Sequence, residues 1–116
     1  MEVHAIMKNV PMSAQKMREV VRQIQGLPAL QAQAVLAVVP RKSARFVAKT
    51  LKSAIANAED QARHQKINQF KTENLRVLSA VAGQATTLKR FTPKARGSAG
   101  PILKRNCHVK IVLSDE

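Results

Sequence analysis

The stretch Gln84-Ala-Thr-Thr-Leu-Lys-Arg-Phe-Thr-Pro-Lys-Ala-Arg-Gly-Ser-Ala-Gly-Pro101 decides how the rest of the chain is read. It holds no acid and few large apolar side chains. Lys89, Arg90, Lys94 and Arg96 surround Phe91 and Pro93, with Gly97 and Gly100 beyond. Such a segment has no core of its own to bury, so its order must come from a partner that coats it. Loops of this length are uncommon in compact domains and are mostly functional or disordered.

The flanking segments read as strands. Residues 75–82 are Leu-Arg-Val-Leu-Ser-Ala-Val-Ala, and residues 103–113 alternate more cleanly. In the second, Cys107, Val109, Ile111 and Leu113 share one face while His108 and Lys110 share the other. Strand, basic loop and strand together predict a long protruding hairpin over about 84–101. With about 9 residues per arm at roughly 3.3 Å each, it would reach about 30 Å. Lys and Arg neutralise phosphates, and Arg donates two parallel hydrogen bonds to one. Phe91 is suited to stacking on a base or wedging into a crevice. Pro93 stiffens the tip, and Gly97 allows close backbone approach. Lys104 and Arg105 extend the charge, with no acid from residue 74 to 114.

Working toward the N-terminus, the longest helical pattern covers about Arg41 to Gln61. Ala44, Val47, Ala48, Leu51, Ile55 and Ala58 form one apolar face. Arg41, Lys42, Arg45, Lys49 and Lys52 gather in a second stripe, roughly 120° away. No acid lies between Glu19 and Glu59, so the stripe reads as having no local counter-charge. Pro40 suits the first position of this helix. A shorter apolar segment spans residues 29–38, with Ala32, Val35 and Leu36 inward. A first helix runs from Ala14 to about Gln25, with Ser13 as N-cap and Gly26 at its C-terminal cap. Met17, Val20, Val21 and Ile24 form its apolar stripe, and Lys16, Arg18 and Arg22 lie off it. Residues 3–10 form a short strand ended by Pro11. The stretch from His64 to Thr72 is polar.

Composition supports this division. Lys plus Arg number 20 against 7 Asp plus Glu in 116 residues, a net charge of +13 with 45% hydrophobic residues. A core is available, but the excess charge favours a polyanion partner. The single Cys107 forms no intrachain disulfide and reads as a core residue. His108 follows it on a strand and points to the opposite face, so the two cannot act as nucleophile and base. The three His are scattered without zinc spacing, so no metal or cofactor is expected. Met7, Met12 and Met17 are packing residues. No nucleophile elbow or phosphate-cradling glycine loop occurs, so the chain is not read as an enzyme. The start carries no secretory pattern. The longest uncharged stretch, Gln23 to Pro40, contains four Gln, two Pro and Gly26, a poor membrane span. On residues alone the reading is an RNA- or DNA-clamping hairpin protein. An architectural DNA-bending protein with β-arms is the alternative. A membrane-active cationic protein is disfavoured.

Three segments resemble the family of ribosomal protein L twenty-two of the large subunit. They are Thr87-Leu-Lys-Arg-Phe-Thr-Pro-Lys-Ala-Arg-Gly97 with Pro101-Ile102, Lys104-Arg105 and His108; Lys52-Ser-Ala-Ile-Ala-Asn-Ala58; and Met12-Ser13 with Lys16, Arg18 and Val20. The resemblance covers nearly the whole chain in order. It implies an α+β fold, three helices packed on a small antiparallel sheet with a long protruding β-hairpin, in one ribosomal RNA-binding domain over residues 1–116. It implies binding to large-subunit ribosomal RNA, bridging of RNA domains during assembly, and a hairpin lining the nascent-peptide exit tunnel. Partners would be that RNA, neighbouring ribosomal proteins and the nascent polypeptide, in a cytoplasmic, bacterial-type ribosome, without membrane or homo-oligomer. Lys89, Arg90, Lys94, Arg96 and Gly97 fall on the family's tip motif. Lys16, Arg18, Ser53, Asn57, Lys104, Arg105 and His108 fall on its other recurrent positions. Joined to Arg22, Phe91 and the Arg41–Lys52 stripe, they make the expected RNA-binding set. Arg90, Pro93, Lys94, Ala95, Arg96, Gly97 and Ser98 make the expected tunnel-lining tip. Ser98 stands where family members mostly carry Arg.

Overall fold

The computed structural model describes residues 2–65 and 71–115. Part of the polar His64–Thr72 stretch, residues 66–70, lies outside the described residues. In chain order the elements are β1 (Glu2–Val10), α1 (Ala14–Ile24), α2 (Ala29–Val38), α3 (Lys42–His64), β2 (Arg76–Gln84), β3 (Leu88–Pro93), β4 (Ala99–Lys104) and β5 (Cys107–Ser114). Three strands form an antiparallel sheet in the order β1-β5-β2, and β3 pairs with β4 in a separate hairpin. This is the α+β arrangement expected: three helices on a small antiparallel sheet with a hairpin projecting.

The core follows from the two periodicities. Met17, Val20, Val21 and Ile24 of α1 are buried, as are Val47, Leu51, Ile55 and Ala58 of α3. They meet Cys107, Val109, Ile111 and Leu113, the inward face of the central strand β5. Each large aliphatic side chain buried this way contributes about 1.5–3 kcal/mol of transfer free energy. The helices cover one face of the sheet only. Ile6, Lys110 and Val81 stand in register across the other.

Helix starts follow the local chemistry. Ser13 caps α1, its Oγ accepting from the Lys16 amide at 3.4 Å, and Gly26 takes φ +78 just beyond the helix. At α3 the sequence expectation is corrected. The N-cap is Arg41, without a side-chain cap bond, so Pro40 lies outside the helix rather than at its first position. The helix also runs on to His64, past Gln61.

The expected single strand over 103–113 is divided. Leu103 and Lys104 belong to β4, Arg105-Asn106 leaves the ladder, and β5 begins at Cys107. Asn106 pins this waist: its carbonyl accepts from the Ala85 amide at 3.1 Å, and its Nδ2 donates to the Thr86 carbonyl at 3.2 Å. The hairpin ladder therefore runs from Leu88↔Lys104 to Pro93↔Ala99, beyond the Pro101 boundary expected. The described residues extend over 69 × 27 × 16 Å.

Both outer strands carry a bulge. In β1 the pairing shifts between Met7 and Val10, where Asn9 takes φ 57 and its amide donates to Nδ1 of His108 at 3.1 Å. In β2 it shifts between Val77 and Ser79. The free edge of β2 is covered as well. The Gly26 and Ala29 amides donate to the Val77 and Leu75 carbonyls, each at 2.9 Å. Higher up, Gln25 Nε2 donates to Ala80 O at 2.6 Å and Arg18 Nε to Ala82 O at 3.0 Å. An uncovered edge would be open to pairing with another chain.

Candidate nucleic-acid interface

The hairpin presents two different faces. Register places Lys89, Phe91 and Pro93 with Leu103, Pro101 and Ala99 on one side. Leu88, Arg90 and Thr92 share the other with Lys104, Ile102 and Gly100. Phe91 is 76% exposed, so its ring is free for an external contact. Arg90 Nη1 donates back to the Lys89 carbonyl at 2.8 Å. Proline fits at positions 93 and 101 because a two-stranded ribbon consists of edge strands alone.

Lys94 to Ser98 form the tip, closed by the Lys94 amide donating to the Ser98 carbonyl at 2.6 Å. Gly97 takes φ +73, and Arg96 beside it takes φ 60 and ψ 33. A left-handed non-glycine residue costs about 1–2 kcal/mol, and here it sets a guanidinium-bearing residue at the apex. Gly100 has another task. A Cβ at that position would fall 2.5 Å from Lys94 Cε and 2.8 Å from its Cγ. Only glycine lets the Lys94 stem lie across the strand.

At the base of the hairpin, distant segments converge. Lys16 of α1, Lys42 of α3, Lys104 of β4 and Arg105 line one open groove of about 580 Å³, with Pro11, Met12 and Ser13. Arg45, Lys49 and Lys52 are exposed along α3. Arg41 departs from the reading of an unopposed stripe, because its Nη1 lies 2.8 Å from Glu19 Oε2. Packing of α1 on α3 supplies a counter-charge that no local stretch contains. Ser53 is exposed and shares a shallow groove beside β1 with Lys49. Arg22 is exposed beside Arg18 along β2.

Three expected contact residues are engaged within the fold. Arg18 covers the β2 edge, Asn57 Nδ2 donates to the His4 carbonyl at 3.1 Å, and His108 accepts at the β1 bulge. Sequence reasoning missed Asn106, a lone amide inside what the pattern gives as a single strand over 103–113. Cys107 is buried, and desolvation pushes its thiol up. Among the described residues no three His, Cys, Asp or Glu side chains cluster as metal ligands, and no helix is long and apolar enough to cross a membrane. What the surface offers is exposed positive charge on helix, groove and hairpin.

Comparison with known proteins agrees with this geometry. A family profile described as "Ribosomal protein L22p/L17e" matches residues 5–114. The protein named "Large ribosomal subunit protein uL22" from Opitutus terrae is 47% identical over 115 residues, covering 99% of this chain and 96% of that protein. Its namesake in Akkermansia muciniphila is 42% identical over 116 residues, covering 100% and 98%. That of Methylacidiphilum infernorum is 42% identical over 116 residues, covering 100% and 96%.

Proposed function

The chain belongs to the ribosomal protein L twenty-two family, a structural and non-enzymatic component of the large ribosomal subunit, and from that premise we propose that it clamps large-subunit ribosomal RNA. The whole chain acts as one RNA-binding unit. Phosphate contacts supply affinity, and RNA shape supplies specificity. The observation that carries this reading is the groove at the hairpin base, where Lys16, Lys42, Lys104 and Arg105 meet from separate elements. Such a site holds strands from more than one RNA segment, which is what bridging RNA domains during assembly requires. The hairpin extends the clamp, with Lys89, Arg90 and Phe91 along the shaft and Lys94, Arg96 and Gly97 at the tip. The tip lines the nascent-peptide exit tunnel, so the nascent polypeptide and neighbouring ribosomal proteins are its further partners.

Salt titration of binding to large-subunit ribosomal RNA tests the clamp. Removing Lys104 and Arg105 together by alanine should lower the salt slope by about 0.7–0.9 per contact. An unchanged slope and affinity would overturn it. Placement at the tunnel is tested separately. Ser98→Cys, labelled with a photoreactive group, should crosslink to stalled nascent chains, since Cys107 is buried and does not compete for label. Crosslinks to RNA alone would remove the lumen from the assignment.

A further inference from the structure

A second groove lies beside the first, between the C-terminal end of α2 and the start of α3. It is open and about 570 Å³ in volume. That size falls in the range of about 300–1,000 Å³ common for small-molecule sites. Its floor is apolar, built from Leu36, Val39, Pro40 and Ala48. Its rim is cationic, with Arg41, Lys42 and Arg45 along one side. Lys42 lines both grooves, so the two adjoin.

Three features point to one class of occupant. The apolar floor would strip water from a flat, weakly polar group. The rim sets positive charge beside that floor, as a backbone phosphate requires. Arg41 is paired with Glu19 at 2.8 Å, so Lys42 and Arg45 carry the uncompensated charge of the rim. Guanidinium planes also stack on bases in RNA complexes. We propose that this groove receives a single extruded nucleotide of the clamped RNA, its base on the apolar floor and its phosphate on Arg45 and Lys42. The proposal rests on the RNA-clamp reading and adds to it a base-contacting site outside the hairpin.

Two variants fill the groove without altering charge: Ala48→Leu on α3 and Ala37→Leu on the exposed lip of α2. Each is bound to large-subunit ribosomal RNA, and affinity, salt slope and base-reactive footprints are measured. Losing the apolar surface that the base would bury should weaken the binding of both variants about five- to tenfold. Their salt slope should match the parent, and protection of one unpaired base should vanish while the hairpin footprint persists. Arg45→Ala should instead lower the slope by about 0.7–0.9. Identical base protection in the parent and both variants would overturn the proposal. So would an intact RNA footprint with lost incorporation of a neighbouring protein, which would make the groove a protein contact. Loss of the hairpin footprint in the parent itself would instead bring down the RNA-clamp reading.

Discussion

Arg18 carries a charge that suits a phosphate, yet its guanidinium also has a place inside the fold. Its Nε bond to the Ala82 carbonyl closes an edge position of β2, while Arg22, one turn on, makes no such bond. Arg18→Ala should therefore lower stability by about 1 kcal/mol, and Arg22→Ala should stay within about 0.5 kcal/mol. Urea denaturation of the free protein separates the two. Buried Ser43 predicts the opposite sign. Its Oγ has no hydrogen-bond partner, so Ser43→Ala should leave the melting temperature unchanged or raise it. Cys107 adds a pH dependence. Burial raises its thiol above the ordinary value of 9.0. The unfolded chain then ionises first, so this contribution is complete below that pH and is lost as pH rises through the folded value. Thermal melts should show stability declining on the alkaline side, and Cys107→Ser should reduce that decline.

At the scale of elements, legibility followed the range of the interaction. The stripes of α1 and α3, and the Ser13 cap, depend on neighbours three or four residues apart, and their pattern is visible in the chain. The waist at Asn106 was hidden, because Leu103 and Cys107 keep the parity of one strand across the break, and the charged Arg105 between them is its only interruption. The contacts that Arg18, Asn57 and Glu19 make within the fold were hidden for a related reason. Their partners lie 64, 53 and 22 residues away, and periodicity carries no such information. The hairpin was legible through what it lacks, a core and any acid. Its tip is testable as an element. Gly97→Val imposes a β-branched side chain at φ +73, which should destabilise the tip by about 1–2 kcal/mol. Amide exchange should accelerate in β3 and β4 while β5 stays protected, since the hairpin ladder is closed on itself.

At the scale of the molecule, a charge of +13 is distributed over helix, groove and hairpin rather than neutralised within the fold. Self-repulsion of this kind weakens the free protein and is screened by salt. Its melting temperature should rise from low to moderate ionic strength, whereas the RNA complex should weaken over the same range. A melting temperature indifferent to salt would mean that the charges do not strain the fold.

The waist at Asn106 joins two parts of very different bulk, and the described chain is 69 Å long but only 16 Å across its thinnest direction. A probe so shaped can be closed around but is hard to push into a finished mass. Enclosed along its length, it leaves only when its surroundings open. Its exchange is then governed by the container and not by its own affinity. In a completed particle, labelled protein should fail to replace the resident copy even where the same RNA, stripped bare, gives it up readily in salt.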